Sequence, residues 1–247
     1  MDPRRTWLVQ AFSDSKSFHT HAGIVEVGSI VGKKFGDTVT TTLGDKISLL
    51  RPSTIDYIMK SERRTQIVYP KDFSYISARS GIHSGCNIFE CGTGSGSLTT
   101  YFSSLVAPNG KVHTFEERSD FFEIAKKNVQ KAGFSDQVSF QNVNLLSAAL
   151  PESYFDLAVL DTGDPWLQLD LVHKSLRGSA FLFCICPTTN QLEHIITSME
   201  GLFADLESVE IMFRRIEARE GKTRPSMRMI GHTCYLASGR KLNKAEA

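Results

Sequence analysis

The segment that most constrains the fold is a short apolar run, residues 87–91, that leads directly into three glycines spaced two residues apart. The glycines are Gly92, Gly94 and Gly96, and an amphipathic stretch over residues 97–106 follows them. A strand, a glycine-rich turn and a helix in this order are typical of the first unit of an open α/β sheet, where a ligand approaches the backbone closely. The segment therefore predicts a ligand site at the carboxyl edge of a parallel sheet.

From about residue 70 onward, strand-like and helix-like segments alternate, which indicates a parallel sheet covered by helices on both faces. The pattern predicts strands at 87–91, 111–115, 138–143, 157–160 and 180–186, and helices at 97–106, 120–132, 166–176 and 191–202. Two further strand-like runs, 206–213 and 231–237, have no helix-length segment between them. We expect these two to pair antiparallel at the sheet edge, a departure from strict alternation.

The first 65 residues have a different pattern, with short β-type runs separated by glycines. The runs are residues 23–27, 30–31, 38–43 and 47–50, and a short helix is predicted at 53–59. We therefore predict two domains. A small β-barrel-like or sandwich domain spans residues 1–65, and the larger α/β domain spans residues 66–247.

Composition excludes several classes of protein. The chain has 247 residues, of which 41% are hydrophobic and 22% charged, as in globular proteins. No apolar run approaches the roughly 20 residues of a membrane helix, and no signal-like core follows the N-terminus, so a cytoplasmic protein without a membrane partner is expected. The five cysteines form no CxxC pair, which argues against a zinc or other metal site and against a disulfide framework.

The net charge of +1 hides an uneven distribution along the chain. Lys and Arg number 10 against 7 Asp and Glu in residues 1–65, 9 against 17 in residues 66–210, and 9 against 3 in residues 211–247. Basic ends around an acidic middle fit a phosphate-rich partner at the ends and a cationic small molecule in the middle. Solvated faces that happen to segregate fit the same counts.

The spacing of the glycines indicates the charge of the ligand. A dinucleotide site has the pattern GxGxxG, whereas this chain has GxGxG, with Ser97 where the third glycine would stand. Glu90 precedes the first glycine by two residues, and a carboxylate there would repel a pyrophosphate but attract a sulfonium ion or an amino group. The segment resembles motif I of class I S-adenosylmethionine-dependent methyltransferases.

Two later positions extend this interpretation. Glu116 ends the next strand, where a carboxylate can accept hydrogen bonds from both ribose hydroxyls, although Glu117 competes for that role by register. Asn144 follows the third strand, where such methyltransferases often carry Asp to accept a hydrogen bond from the adenine amino group. An amide oxygen can accept the same bond more weakly, and a plain turn residue is the alternative.

Asp161 is the leading catalytic candidate, because it ends the fourth strand and should face the same crevice as Glu90. Five residues later, Trp166 is placed either to stack on a base or to cap the core. Several motifs follow one another along the chain: QIVYPKD at 66–72, ECGTGSGSL at 90–98, LDTGDPW at 160–166, CPTTNQ at 186–191 and RPSMRMIGHTCYL at 224–236. Together they resemble the tRNA adenine-58 N1-methyltransferases, in particular the archaeal and bacterial single-gene enzymes.

The resemblance implies a class I methyltransferase fold after a small β domain, S-adenosylmethionine as cofactor, tRNA as substrate and a homotetramer. Asp161 would meet the target adenine and Tyr69 would lie beside it. Thr162 and Gly163 replace the family's usual apolar residue and proline, which affects the shape of the pocket. The implied cofactor-binding residues are Gln66, Ile67, Val68, Glu90, Gly92, Thr93, Gly94, Ser95, Gly96, Ser97, Leu98, Glu116, Asn144, Leu145 and Asp161.

Basic residues near the C-terminus are candidates for holding RNA phosphates. Those we assign to RNA binding are Arg214, Arg215, Arg224 and Arg228, although Arg224 and Arg228 could equally pair with acidic groups of a neighbouring subunit. Two other functions remain as rivals: a nicotinamide-dependent dehydrogenase and a non-catalytic RNA-binding subunit. Whether adenine 57 is modified as well as adenine 58 stays open.

Overall fold

The computed structural model describes residues 6–9, 17–64 and 66–243. The chain divides into two compact units, Met1–Lys60 and Ser61–Ala247. No helix in the described ranges is long and apolar enough to cross a membrane. Each unit has its own sheets and is considered by itself.

The first unit contains two antiparallel hairpins and one short helix. They are β1 (Ser17–Thr20) with β2 (Gly23–Glu26), β3 (Thr38–Thr40) with β4 (Lys46–Ser48), and α1 (Thr54–Lys60). The Thr42 backbone N–H donates to the Ile24 carbonyl at 3.0 Å, which ties the second hairpin to the first. In residues 6–9 and 17–60, the strands form these two separate ribbons rather than a closed barrel.

The strand predicted at residues 30–31 is wrong. These residues lie in turns after a single 3-10 turn, Val27–Ser29, and Val31 is 65% exposed. Two β-branched residues are too short a run to bury a face, so the glycines at 28 and 32 decide the local structure.

The second unit is built on one seven-stranded sheet. Its strands are β5 (Asn87–Cys91), β6 (Lys111–Phe115), β7 (Val138–Gln141), β8 (Phe155–Leu160), β9 (Leu176–Cys186), β10 (Phe203–Val209) and β13 (Tyr235–Lys241). Its helices are α2 (Pro70–Ser80), α3 (Ser97–Val106), α4 (Ser119–Ala132), α5 (Leu169–Ser175) and α6 (Thr189–Met199).

The strand order is β10-β13-β9-β8-β5-β6-β7. Strands β5 to β9 run parallel, whereas β13 is antiparallel to both β9 and β10. The predicted parallel sheet with an antiparallel edge pair is therefore confirmed. The carboxyl ends of β5, β6 and β8 come together, because Cys91 pairs with both Phe115 and Leu160.

Some elements were not anticipated from the sequence. Helix α2 fills the stretch between residues 70 and 80, and a two-stranded hairpin of β11 (Ile216–Glu217) and β12 (Arg224–Pro225) lies between β10 and β13. The helix predicted at 166–176 begins as a 3-10 turn, Pro165–Gln168, before α5. Pro165 favours such a tight first turn because it has no N–H to donate.

The core of this unit lies against the central strands. Phe89, Phe155, Leu160 and Phe183 are fully buried, and the rings of Phe89 and Phe155 meet edge-on with centroids 5.5 Å apart. All five cysteines are buried and free, so they pack as small apolar side chains. This packed centre fixes the positions of the polar residues at the strand ends.

Candidate functional site

The glycine loop runs from the end of β5 to the start of α3, and its three glycines have different surroundings. All three have positive φ, +90° at Gly92, +54° at Gly94 and +79° at Gly96. A Cβ at Gly92 would lie 2.0 Å from the Asp161 carbonyl oxygen, and one at Gly96 would lie 3.2 Å from Ala125 of α4. A Cβ at Gly94 would meet only open space, so this glycine alone leaves room for a ligand.

Glu116 connects the end of β6 to the glycine loop. Its carboxylate accepts hydrogen bonds from the Gly94 N–H at 3.0 Å and from the Arg118 N–H at 3.0 Å, and the residue is 8% exposed. Glu117 faces away toward Asn144, whose side-chain amide donates to its carboxylate at 2.9 Å. Of the two competing acids, Glu116 is the one that touches the loop.

The remaining loop residues are held by the protein itself. The hydroxyls of Thr93 and Thr114 are 2.6 Å apart, and those of Ser95 and Ser97 are 3.2 Å apart. Each of these loop residues is buried, as is Leu98 in the first turn of α3. Their contacts give the loop a fixed shape before any ligand arrives.

Glu90 lies in β5 and is completely buried. Thr99 of α3 donates a hydrogen bond to Glu90 Oε2 at 2.6 Å, while Oε1 has no hydrogen-bond partner among the described residues. Burial raises the pKa of the Glu90 carboxyl to about 8, against the opposing hydrogen bond of Thr99, and the charge of Asp161 adds to the rise. Glu90 is therefore mostly a neutral acid at neutral pH in the absence of a cation.

Asp161 immediately follows β8, and its N–H donates to the Cys91 carbonyl at 2.8 Å. Its side chain is partly accessible, yet desolvation raises the pKa of its carboxyl to about 6, and the charge of Glu116 contributes. Asp161 is therefore mostly ionised at neutral pH. Together, Glu90, Glu116 and Asp161 form an acidic crevice at the carboxyl edge of β5, β6 and β8.

Residues 66–69 precede α2. Gln66 is exposed, Ile67 and Val68 are buried, and Tyr69 is partly exposed as the residue before the first turn of α2. The Tyr69 carbonyl accepts from the Asp72 N–H at 2.9 Å, which fixes the entry into this helix.

Asn144 begins a short 3-10 turn, Leu145–Ser147, and its side-chain oxygen accepts from the Leu146 N–H at 3.0 Å. Leu145 is buried and Asn144 is exposed. In this conformation, the Asn144 oxygen already has the donor typical of a turn residue, the alternative role predicted from the sequence.

Side chains of α6 hold the loop that follows Asp161. Gln191 donates to the Gly163 carbonyl at 3.0 Å, and the Trp166 ring stacks on His194 with centroids 4.0 Å apart. Trp166 also packs against the core. Of its two predicted roles, the structure brings out the one that caps the core.

Within residues 211–230, a segment we call the basic segment, all of the predicted RNA-binding arginines are exposed. Arg224 lies 3.7 Å from Glu217 across the β11–β12 hairpin, and its side chain is 63% exposed. The backbone of Arg215 is fixed by the Ser226 N–H, which donates to its carbonyl at 2.8 Å.

Two residues of this site were not predicted from the sequence. Asn128 of α4 donates to the carbonyls of Ser95 at 2.9 Å and Glu62 at 2.8 Å, which joins the glycine loop to the segment before Gln66. Thr99 holds Glu90. Both are polar residues within helices, and only their burial in the structure distinguishes them from other polar residues of those helices.

Within the part of the chain that the structure describes, no group of three or more His, Cys, Asp or Glu side chains is arranged to hold a metal ion. The acidic crevice at the carboxyl edge consists of Glu90, Glu116 and Asp161. Its acids alternate with backbone N–H groups and an open glycine, an arrangement suited to a cationic organic ligand.

Comparisons with known proteins agree with this geometry. The family described as tRNA methyltransferase complex GCD14 subunit matches residues 47–233. The tRNA (adenine(57)-N(1)/adenine(58)-N(1))-methyltransferase TrmI of Methanocaldococcus jannaschii is 31% identical, and the match covers 91% of this chain and 88% of that protein.

Two solved structures have the same fold. The tRNA (m1A58) methyltransferase TrmI of Aquifex aeolicus has a TM-score of 0.86 and 33% identity, with coverage of 98% of this chain and 94% of that one. A SAM-dependent O-methyltransferase of Thermotoga maritima has a TM-score of 0.88 and 33% identity, with coverage of 94% and 87%.

Proposed function

The chain belongs to the family described as tRNA methyltransferase complex GCD14 subunit. We propose that it methylates N1 of adenine 58 in tRNA and uses S-adenosylmethionine as the methyl donor. The observation that carries the proposal is the acidic crevice beside the glycine loop. It combines the carboxylate bonded to the loop, Glu116, with a second acid, Glu90, that has one unpartnered oxygen, and with Asp161 at the end of the neighbouring strand. A cationic cofactor and a base to be methylated would meet at such an edge.

The residues present fit S-adenosylmethionine. The open space at Gly94 admits a ligand against the backbone, and the buried Oε1 of Glu90 has no partner, as expected of an acid that faces a cation. Glu116 would hold the ribose hydroxyls. We infer that Gln66, Ile67, Val68, the loop residues 92–98, Asn144 and Leu145 complete the cofactor site, and that Asp161 borders it.

When bound, S-adenosylmethionine supplies a methyl group on a positively charged sulfur. The residues of the chain prepare the acceptor. In its ionised form, the Asp161 carboxylate accepts a hydrogen bond from the exocyclic amino group of adenine, which raises the electron density at N1 and stabilises the positive charge that N1 acquires. Tyr69, at the entry to α2, would lie beside the base and orient it.

Adenine N1 lies on the base-pairing edge, so the base has to leave its folded context before it can react. We propose that Arg214, Arg215, Arg224 and Arg228 hold the RNA backbone during this step, while the shape of the folded RNA selects the substrate. We also propose a homotetramer that acts in the cytoplasm, as expected from the sequence.

The rival functions make different predictions. A nicotinamide-dependent dehydrogenase would require a dinucleotide at the glycine loop, where the carboxylate of Glu116, bound to the Gly94 N–H, would repel the pyrophosphate. A non-catalytic subunit would bind RNA without forming product. The intact glycine loop and Asp161 favour a catalytic chain.

The decisive experiment is to incubate the purified chain alone with unmodified tRNA and labelled S-adenosylmethionine, then to map methylated nucleosides by mass spectrometry. We expect 1-methyladenosine at position 58, and the same map reports whether adenine 57 is modified. Binding of cofactor and tRNA without any methylated nucleoside would indicate a non-catalytic subunit. A methyl group on a ribose or base oxygen would contradict the assignment of N1.

A further inference from the structure

A charged triad in the second unit is formed by three side chains that contact one another, those of Lys71, Asp72 and Thr233. Asp72 is completely buried and the Lys71 side chain is 10% exposed. The Lys71 ammonium lies 2.6 Å from Asp72 Oδ1, and the Thr233 hydroxyl donates to Asp72 Oδ2 at 2.9 Å. Lys71 also donates to the Thr233 hydroxyl at 2.5 Å. Each carboxylate oxygen therefore has its own donor, and Thr233 links both charges.

The triad lies at the same edge of the sheet as the acidic crevice. Thr233 stands two residues before Tyr235, which pairs with Cys186 at the carboxyl end of β9. Burial raises the pKa of the Cys234 thiol to about 12, and the charges of Asp72 and Asp161 both add to this rise. The Cys234 thiol is thus within the electrostatic reach of the triad and of Asp161.

The triad also fixes the entry into α2. The Asp72 N–H donates to the Tyr69 carbonyl at 2.9 Å, while the Asp72 side chain is bound to Thr233. Asp72 therefore ties the backbone of Tyr69 to the segment that precedes β13. A shift of this segment would therefore reach Tyr69 through Asp72 and Lys71, the two residues that contact Thr233.

The neighbouring His232 ties the same segment to the end of β9. One ring nitrogen lies 2.6 Å from a Glu210 carboxylate oxygen and the other lies 3.1 Å from the Pro187 carbonyl oxygen. Residues 232–233 thus join α2, the end of β9 and the stretch after β10. Three elements at the carboxyl edge meet at this pair of residues.

We propose that Asp72, Lys71 and Thr233 position Tyr69 and the end of β9 around the acceptor base, and so act on methyl transfer without touching the substrate. The proposal rests on the proposed function. Taking two charges out of water is costly, and a buried ion pair adds little to stability compared with apolar side chains of the same volume. What the triad provides is a fixed geometry at the edge where the base reacts.

The test uses Thr233→Val, which removes the bridging hydroxyl but leaves Lys71 and Asp72 paired. We expect kcat with tRNA to fall by about 10-fold or more, because small displacements of reacting groups have large kinetic effects. The affinity for S-adenosylmethionine, measured by calorimetry, should stay within about twofold. Thr233→Ser keeps the hydroxyl and should restore kcat. Asp72→Asn should lower kcat at least as much.

The matched control is Ser175→Ala, which removes a buried hydroxyl bonded to the Val172 carbonyl at 2.8 Å near the amino edge of the sheet. Each variant is assayed well below its own melting temperature. If Thr233→Val keeps the kcat of the control, or loses cofactor affinity instead of kcat, the positioning role is wrong. If the wild-type chain forms no 1-methyladenosine, the proposed function fails first, and this result is separate from the comparison of variants.

Discussion

The acidic crevice and the basic segment carry opposite charges, and they also differ in how deeply the charged side chains are buried. Glu90 is fully buried, Glu116 is 8% exposed and Asp161 is partly covered, whereas the arginines of the basic segment are exposed. A buried charge interacts through a medium of low polarisability, so dissolved salt screens it weakly. An exposed charge is screened within about 10 Å at moderate salt.

This difference predicts how each region should respond to mutation. Changes in the crevice should alter the chemistry or cofactor binding to a similar extent at low and high salt. Changes in the basic segment should alter only RNA binding, and less so as salt rises. The largest effect is expected from the acidic crevice and the smallest from the basic segment.

Asp161→Ala should lower turnover by about 100-fold or more, because the hydrogen bond that polarises adenine is lost. The affinity for S-adenosylmethionine should change by only a few-fold, and the loss of turnover should be the same at about 50 and 200 mM salt. Single-turnover kinetics and calorimetry measure the two effects. Asp164→Ala, an exposed carboxylate in the same loop, is the control and should remain active. Retained turnover in the Asp161 variant would remove this residue from catalysis.

Glu116→Gln should weaken S-adenosylmethionine binding by about 10-fold, since hydrogen bonds to a charged acceptor are worth more than those to an amide. Glu117→Gln changes the next residue in the same way and should shift the affinity by less than about twofold. Calorimetry on both variants makes the comparison. A larger loss at Glu117 would reverse the assignment of the ribose ligand.

Cofactor affinity should rise with pH, because a cation favours the ionised form of Glu90 and the pKa of this carboxyl is about 8 in the free protein. Asp161, with a pKa of about 6, contributes to the lower part of the rise. Between pH 6.5 and 8, the gain should reach up to about 10-fold in the wild type and fall below about twofold, the part that Asp161 contributes, in Glu90→Gln. An identical pH dependence in the two proteins would contradict this assignment.

The same group links pH to stability with the opposite sign. The folded pKa of Glu90 lies above its ordinary value of 4.5, so its stabilising contribution is complete below pH 4.5 and is lost as pH rises toward 8. The melting temperature of the wild type should therefore fall over this interval relative to that of Glu90→Gln. Thermal unfolding in the absence of cofactor measures the difference.

The smallest effect is expected in the basic segment. Charge reversal in Arg224→Glu should weaken tRNA binding by a few-fold at moderate salt, with cofactor affinity unchanged. The number of counterions released on tRNA binding, read from the slope of log affinity against log salt, should fall by about one. Arg177→Gln removes an exposed arginine that is paired with Asp156, and serves as the control. Equal tRNA affinity in Arg224→Glu and the wild type would favour the alternative role of Arg224 at a subunit contact.

The sequence predicted the second unit more accurately than the first. The elements at 97–106 and 111–115 have the predicted bounds, and the antiparallel edge pair was expected from a missing helix. The strands and helices of this unit are long enough for the spacing of their apolar residues to identify them. In the first unit, short runs between glycines do not by themselves specify which residues pair, so the strand at 30–31 failed. Helix α2 was missed because its mixed polarity hides the three buried positions 72, 73 and 76.

The sequence by itself determined that acids and glycines would meet at one edge, because parallel strands end on the same side of a sheet and the motifs stand at strand ends. Only the tertiary structure decided what each of them does there. Gly92 is a glycine because the Asp161 carbonyl oxygen lies where a Cβ would stand, Gly94 is the one glycine of the loop that faces open space, and Glu116 rather than Glu117 contacts the loop. These outcomes depend on distances between residues far apart in the chain, and burial then sets which carboxyl keeps its proton.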